Sequence, residues 1–300
     1  MNTDYFKGII PPIVTPIDEH ERIIEKDLRE HIDFMIKGGI SGILAFGSNG
    51  EFYMQEEEEQ KEVLSIIIDQ VNNRIPVYMG IGAIRTSKCI RLAQMGLEMG
   101  AKGISVLQPM FIKPSEEELY KHFKTIATNV NNSPLILYNN PGRTGYPLSL
   151  SLVERLAHDV ENIIGIKDSS GDITNTEELI RRNRDVGFRV MCGKDTMIYT
   201  GLCVGAVGAV CSTANFVPDL VCSIYNKYIK GDLKGSLEDQ FKLNPIRIEM
   251  DSTTFPVATK DMGNILGRKL GMPYRPTLPG SKQKQEHQAA VLKVAGYKCK

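Results

Sequence analysis

Ile163-Ile164-Gly165-Ile166-Lys167-Asp168-Ser169-Ser170-Gly171 is an apolar run that ends on a lysine and passes at once into small polar residues. Lysines are mostly exposed, so the ordinary reading of Lys167 is an amine leaving the strand for solvent. Strand geometry offers another. Side chains alternate along a strand, which places Ile163, Gly165 and Lys167 on one face and Ile164 and Ile166 on the other. If the Ile164/Ile166 face packs on outer helices, Lys167 points into the space the strands enclose.

The neighbouring sequence repeats the pattern. Short Val/Ile/Leu-rich runs occur at Ile9–Val14, Gly42–Phe46, Val77–Ile81, Gly103–Leu107, Leu135–Tyr138, Ile163–Lys167, Arg189–Cys192 and Val207–Cys211. Their composition is that of strands buried on both faces. Helical patterns lie between them. Glu25–Lys37 carries Leu28, Ile32, Met35 and Ile36 at helical spacing, and Glu56–Asn72 carries Val63, Ile66, Ile67 and Val71. Eight such units over about 210 residues predict an α/β protein of the (β/α)₈ TIM-barrel class. A doubly wound open sheet competes, but no GxGxxG turn follows the first run. The barrel is expected over residues 1–216. Residues 217–300 are expected to add C-terminal helices packed on it, beginning with Pro218–Tyr228 and Leu233–Leu243, with a peripheral tail from Gly280.

Composition narrows the function. Lys+Arg and Asp+Glu both number 36, so no net charge recommends nucleic acid or an anionic membrane. The opening MNTDYFKGII lacks signal-peptide layout, and no apolar run approaches the roughly 20 residues that span a bilayer. The six cysteines (89, 192, 203, 211, 222, 299) lack CxxC spacing and lie mostly in apolar segments. They read as buried free thiols, not disulfides or metal ligands, and the expected location is the cytoplasm.

In a (β/α)₈ barrel the active site forms where the strands end. Tyr138 shares the parity of Ile136 and is expected to face inward beside Lys167; alone it reads equally well as a core tyrosine. Burial disfavours the charged form of an ammonium, and a neutral lysine amine attacks carbonyls to give an iminium. A phenol beside it can move the protons. Gly47-Ser48-Asn49-Gly50-Glu51 is a glycine-flanked turn whose amides and Ser48 hydroxyl can grip a carboxylate, or simply a strand-to-helix turn. Arg143, in Pro141-Gly142-Arg143-Thr144-Gly145, can clamp a second carboxylate or lie solvated in its loop.

GSNGE, YNNPGRTG and GIKDSSGD in this order, after an opening FKGIIPPIVTP, resemble the dihydrodipicolinate synthase / N-acetylneuraminate lyase family to about residue 270. The resemblance implies a (β/α)₈ barrel, usually a homotetramer, that binds pyruvate or another 2-oxo acid covalently on a lysine with no metal or other cofactor. By motif position it implies Lys167 as the Schiff-base lysine, Tyr138 as acid/base and Ser48 as the hydroxyl that relays protons. The Ser48 and Asn49 amides then hold the substrate carboxylate, with Gly47 in the same motif. Val210 fills the position whose carbonyl lines the pyruvate pocket, and Gly193 and Asp195 fall at the wall shaped by sugar-acid members.

Arg143 fits the synthase branch, where it takes the carboxylate of aspartate semialdehyde. Ser48-Asn49 departs from the usual GTTGE, and Phe111 stands where a tyrosine from a neighbouring subunit completes the relay. Phenylalanine carries no proton. Gln60, Ile84, Lys88 and Met110 also differ from the synthase's lysine-feedback pattern. GSNGEF looks more like members that cleave 4-hydroxy-2-oxo acids or 2-keto-3-deoxy sugar acids; the neuraminate lyase motif lacks the arginine. The sequence therefore ranks first a pyruvate-type Schiff-base lyase that makes or breaks a hydroxylated 2-oxo acid and an aldehyde. Second comes dihydrodipicolinate synthase. A 2-oxo-acid-binding regulator without turnover, or a phosphate-binding barrel, leaves Lys167, Tyr138 and Ser48 without a purpose.

Overall fold

Branched apolar side chains pack well on both faces of a pleated strand, and the eight short runs use both. The computed structural model describes residues 5–130 and 133–300, so the first four residues of the expected barrel lie outside it. Its parallel strands are β1 (Gly8–Ile9), β2 (Ile43–Ala45), β3 (Val77–Ile81), β4 (Gly103–Leu107), β5 (Leu135–Asn139), β6 (Ile163–Asp168), β7 (Arg189–Cys192) and β8 (Gly208–Ala209). They pair in the order β1-β8-β7-β6-β5-β4-β3-β2. The two ends of that order meet. Pro12 bridges Leu44, the Ile13 N–H donates to the Leu44 carbonyl at 3.0 Å, and the Leu44 N–H donates to Pro11 at 3.0 Å. The sheet closes into the expected (β/α)₈ barrel.

Its helices are α1 (Glu25–Lys37), α2 (Glu57–Val71), α3 (Thr86–Glu98), α4 (Glu116–Thr128), α5 (Pro141–Thr144), α6 (Leu150–Asp159), α7 (Ile173–Asn183), α8 (Ile198–Cys203), α9 (Pro218–Ile229), α10 (Leu233–Glu249), α11 (Val257–Ile265) and α12 (Lys282–Val294). Among the described residues no helix is long and apolar enough to cross a membrane. β1 and β8 are shorter than their apolar runs because Pro11 and Pro12 have no N–H to donate to a ladder. At that seam Gly8 faces Gly208, where a side-chain carbon on Gly208 would collide with the Gly8 backbone.

Two apolar layers result. The outer one joins the sheet to the helices and contains Leu28, Ile32, Val63, Leu135, Ile163 and Ile166. The inner one plugs the barrel with Phe6, Ile10, Leu44, Tyr78, Ile136, Ile164, Met191 and Val210. This corrects the expected alternation along β6. The β5–β6 register shifts after the Leu135–Ile163 pair, so that Ile136 is opposite Gly165. Ile164 is thereby turned into the plug, while Ile163 faces out with Ile166. Lys167 still faces inward, above Ile136 and Val210.

All six cysteines are free; Cys203 is exposed and Cys299 half-buried, departures from the expected buried set. The tail is less peripheral than its polarity implies, since Leu292 of α12 is fully buried.

The C-terminal helices are tied to the mouth of the barrel by polar bonds. Gln240 of α10 donates to the Asp195 carbonyl at 3.0 Å. Lys260 of α11 lies 2.6 Å from Glu51, both with essentially no solvent access, and also donates to the Met272 carbonyl at 2.6 Å. Glu51, at φ 55, closes the turn after β2, and its other carboxylate oxygen accepts from the Tyr274 N–H at 3.0 Å. Burial pulls the Lys260 ammonium below its ordinary pKa, and the Glu51 charge opposes that pull. Removing one member of such a pair strands the other in a low-dielectric interior. We expect Glu51→Gln to lose about 3–5 kcal/mol of stability. Glu51→Gln/Lys260→Met should lose less than the sum of the single changes, read from urea denaturation midpoints.

Candidate active site

Five strand ends and two C-terminal segments converge on a cleft at the open mouth of the barrel. β6 delivers Lys167, buried to 5% exposure, with its partner Asp168 pointing the other way. Asp168 fixes that strand end. Its carboxylate accepts from Asn139 at 2.8 Å, from Ser170 Oγ at 2.8 Å and from Thr176 at 2.9 Å. β5 delivers Tyr138, paired in register with Lys167. The Lys167 Nζ lies 4.1 Å from the centroid of the Tyr138 ring. An ammonium over a phenol face in a water-poor site is an attractive contact.

The turn after β2 supplies Ser48 and Asn49 at the start of a short 3-10 helix, Ser48–Gly50. The first N–H groups of a helical turn have no partner within it, which leaves them to a ligand. The Asn49 side chain is held on both sides. It donates to Ser212 Oγ at 2.8 Å and accepts from Thr259 of α11 at 2.7 Å. Val210 lines the inner wall and Arg143 the outer one, with its guanidinium 4.7 Å from the Phe255 ring centroid.

Gly193 and Asp195 follow β7 on the opposite wall. A side-chain carbon on Gly193 would run into Ser169, so the close approach of the two strand ends requires glycine. Asp195 is chiefly a brace. Its Oδ2 accepts from the Thr213 N–H at 2.7 Å and from the Thr213 hydroxyl at 2.6 Å, which ties the β7 loop to the β8 loop.

Two of the expected residues lie elsewhere. Gly47 is packed against Pro12 and does not line the cleft; its role is to let the turn sit on β1. Phe111 is 95% exposed in the loop after β4 and does not reach the cleft of its own chain. In exchange the cleft contains Asn140, Ser169, Lys194, Ser212, Arg247 and Phe255. Lys194 was legible as the residue between Gly193 and Asp195. Arg247 and Phe255 arrive from α10 and the segment before α11, and nothing local in their sequence points to a site. Arg143, Lys167, Lys194 and Arg247 face a single carboxylate, Asp195, so the cleft favours anions.

The phenol of Tyr138 is tuned by this setting. Burial pushes its pKa up, but the Lys167 charge and hydrogen bonds from Ser48, Asn140 and Ser169 outweigh it and hold the group below its ordinary value. Burial alone instead pushes Tyr146 up to about 12. In a phenolate absorbance titration Tyr138 should therefore ionise early, as a component absent from Tyr138→Phe. Lys167→Met should move that component to higher pH, because it removes the neighbouring positive charge.

The chain and its fold match known proteins. The family model described as "Dihydrodipicolinate synthetase family" matches residues 5–295. A 4-hydroxy-tetrahydrodipicolinate synthase of Thermus thermophilus is 34% identical over 288 residues, 95% of each chain. Another, of Methanocaldococcus jannaschii, is 33% identical over 292 residues, 97% of this chain and 99% of its own. Among solved structures, YagE, a prophage protein of E. coli K12 in complex with pyruvate, superposes with a TM-score of 0.94 at 30% identity. That match covers 98% of this chain and 99% of YagE. The barrel agrees with these matches, and the chain belongs to the dihydrodipicolinate synthase family of aldolase-type lyases.

Proposed function

We propose that this lyase joins pyruvate, or a close 2-oxo acid, to an aldehyde through a Schiff base on Lys167, and that aspartate semialdehyde is the first candidate acceptor. The observation that carries the covalent step is the Lys167 amine over the Tyr138 ring at the inner end of an anion-favouring cleft. The amine attacks the keto carbon, and the carbinolamine hydroxyl leaves as water after taking a proton from Tyr138. The iminium then accepts the electron pair released when a C3 proton is removed, giving an enamine. The enamine carbon attacks the aldehyde, its new alkoxide takes a proton, and water releases the product from Lys167. The Ser48 and Asn49 amides hold the 2-oxo acid carboxylate throughout, beside the Val210 carbonyl.

Arg143 on the outer wall supports an acceptor that carries its own carboxylate, and relatives named as synthases support the same choice. Both support this condensation over the aldol cleavage that the sequence ranks first. Cleavage of a 4-hydroxy-2-oxo acid or 2-keto-3-deoxy sugar acid stays as the second reading. It is favoured by Phe111, which has no hydroxyl to relay a proton from a neighbouring subunit of the proposed homotetramer. No step in either reading runs through a metal.

Borohydride reduction in the presence of pyruvate should leave a pyruvyl adduct on Lys167; an unmodified Lys167 by mass spectrometry defeats the covalent reading. Arg143→Leu should raise KM for aspartate semialdehyde at least tenfold, about 1.4 kcal/mol or more, with little change for pyruvate. If 2-keto-3-deoxygluconate or 4-hydroxy-2-oxoglutarate is cleaved far faster than the condensation runs, the second reading replaces the first. Phe111→Tyr should then be silent for cleavage, whereas it should speed the condensation if the missing phenol limits it.

A further inference from the structure

Tyr138 must keep its hydroxyl aimed at the reacting atoms, and a residue two places along the chain is built to do so. The Asn140 Nδ2 donates to Tyr138 Oη at 2.7 Å from within the cleft. Asn140 is itself held in a rigid frame. Its N–H donates to Gln108 Oε1 at 3.2 Å, and its carbonyl accepts from the Arg143 N–H at 3.0 Å and from the Thr144 N–H and hydroxyl, each at 3.0 Å. Gln108 is buried and anchored in turn, with its amide on Thr144 at 3.0 Å and on the Tyr146 carbonyl at 2.7 Å. The amide is thus placed by the β4 and β5 ends together.

An amide nitrogen only donates, so the phenol oxygen is the acceptor in this bond and its proton is free to point elsewhere. Ser48 and Ser169 also hydrogen-bond this oxygen. We propose that Asn140 is a positioning residue for the lyase reaction, holding the Tyr138 oxygen as a proton acceptor beside Lys167 in a chain whose Phe111 has no hydroxyl. The inference rests on the Schiff-base reading for its role in turnover. A donor aimed at an oxygen favours the anionic form over the neutral one, because hydrogen bonds to charged groups are the stronger. Other charged groups around the cleft are Lys167 on β6, Arg143 on α5, Lys194 and Asp195 after β7, and Arg247 on α10. None of these is altered by substituting Asn140.

The test uses the full chain with Asn140→Leu, which removes the donor, and Asn140→Asp, which keeps the shape but presents an acceptor. Both should move the Tyr138 component of the phenolate titration to higher pH, by about one pH unit for Asn140→Leu. Both should lower kcat about tenfold or more while KM for pyruvate changes little. Borohydride trapping on Lys167 should persist, which shows the cleft is intact; should Asn140→Leu fail to fold, the isosteric Asn140→Asp carries the measurement. In a Tyr138→Phe background Asn140→Leu should cost nothing further. An unmoved titration, or an equal loss of kcat with and without Tyr138, overturns the proposal. If the unsubstituted chain yields no pyruvyl adduct, the Schiff-base reading fails separately, and the titration still reports on the Asn140–Tyr138 bond.

Discussion

An ammonium and a carboxylate 2.6 Å apart, both shut off from water, join α11 to the turn after β2. Taking two charges out of water is costly, and the cost is offset only when the geometry is good and the remaining donors and acceptors are satisfied. Here Lys260 also reaches the Met272 carbonyl, and Glu51 also accepts from the Tyr274 amide. The pair therefore does more than connect a helix to a turn. Thr259, one residue before Lys260, hydrogen-bonds Asn49, two residues before Glu51, so the same junction orients the amides proposed to hold the substrate carboxylate. The C-terminal helices are part of the cleft through this junction, and they bring Arg247 and Phe255 with them.

Below the cleft the barrel is plugged by the inner apolar layer. The plug gives Lys167 a dry floor and sets the Tyr138 ring directly beside the lysine amine whose chemistry it is proposed to serve. A low local dielectric strengthens each of these contacts. The same floor confines a ligand to the cleft above it, where the polar groups of the strand-end turns converge. The proposed covalent chemistry at the inner end and the proposed recognition of a second anion at the outer end are thus separated by the architecture, with Arg143, Lys194 and Arg247 lining the cleft beyond Lys167.

Much of the barrel was legible because strand burial and helix amphipathicity are local periodicities. α1 spans the predicted residues, and Lys167, Tyr138 and Ser48 meet as their strand ends implied. Where the reading failed, a contact distant in sequence had overridden the local pattern. Ile164 faces the plug because β6 takes up one extra residue against β5. Gly47 answers to the packing of Pro12, not to a ligand, and Phe111 points away from its own cleft. Glu51 was visible as part of a motif, yet its partner Lys260 lies in a helix with no sequence mark of its own.

The sequence by itself determined the fold class and the candidate covalent lysine, because short apolar periodicities are local and active sites of this barrel class form where its strands end. It also identified the family through three short motifs in order. Tertiary structure alone decided which side chains surround the lysine and how they are held. Asn140 on the Tyr138 oxygen, Asp195 on Thr213, Asn49 between Ser212 and Thr259, and Arg247 at the outer wall all depend on the closure of the barrel and on the helices docked at its mouth. Those contacts are set by where the chain ends up in space, since hydrogen bonds act over about 3 Å regardless of separation along the chain.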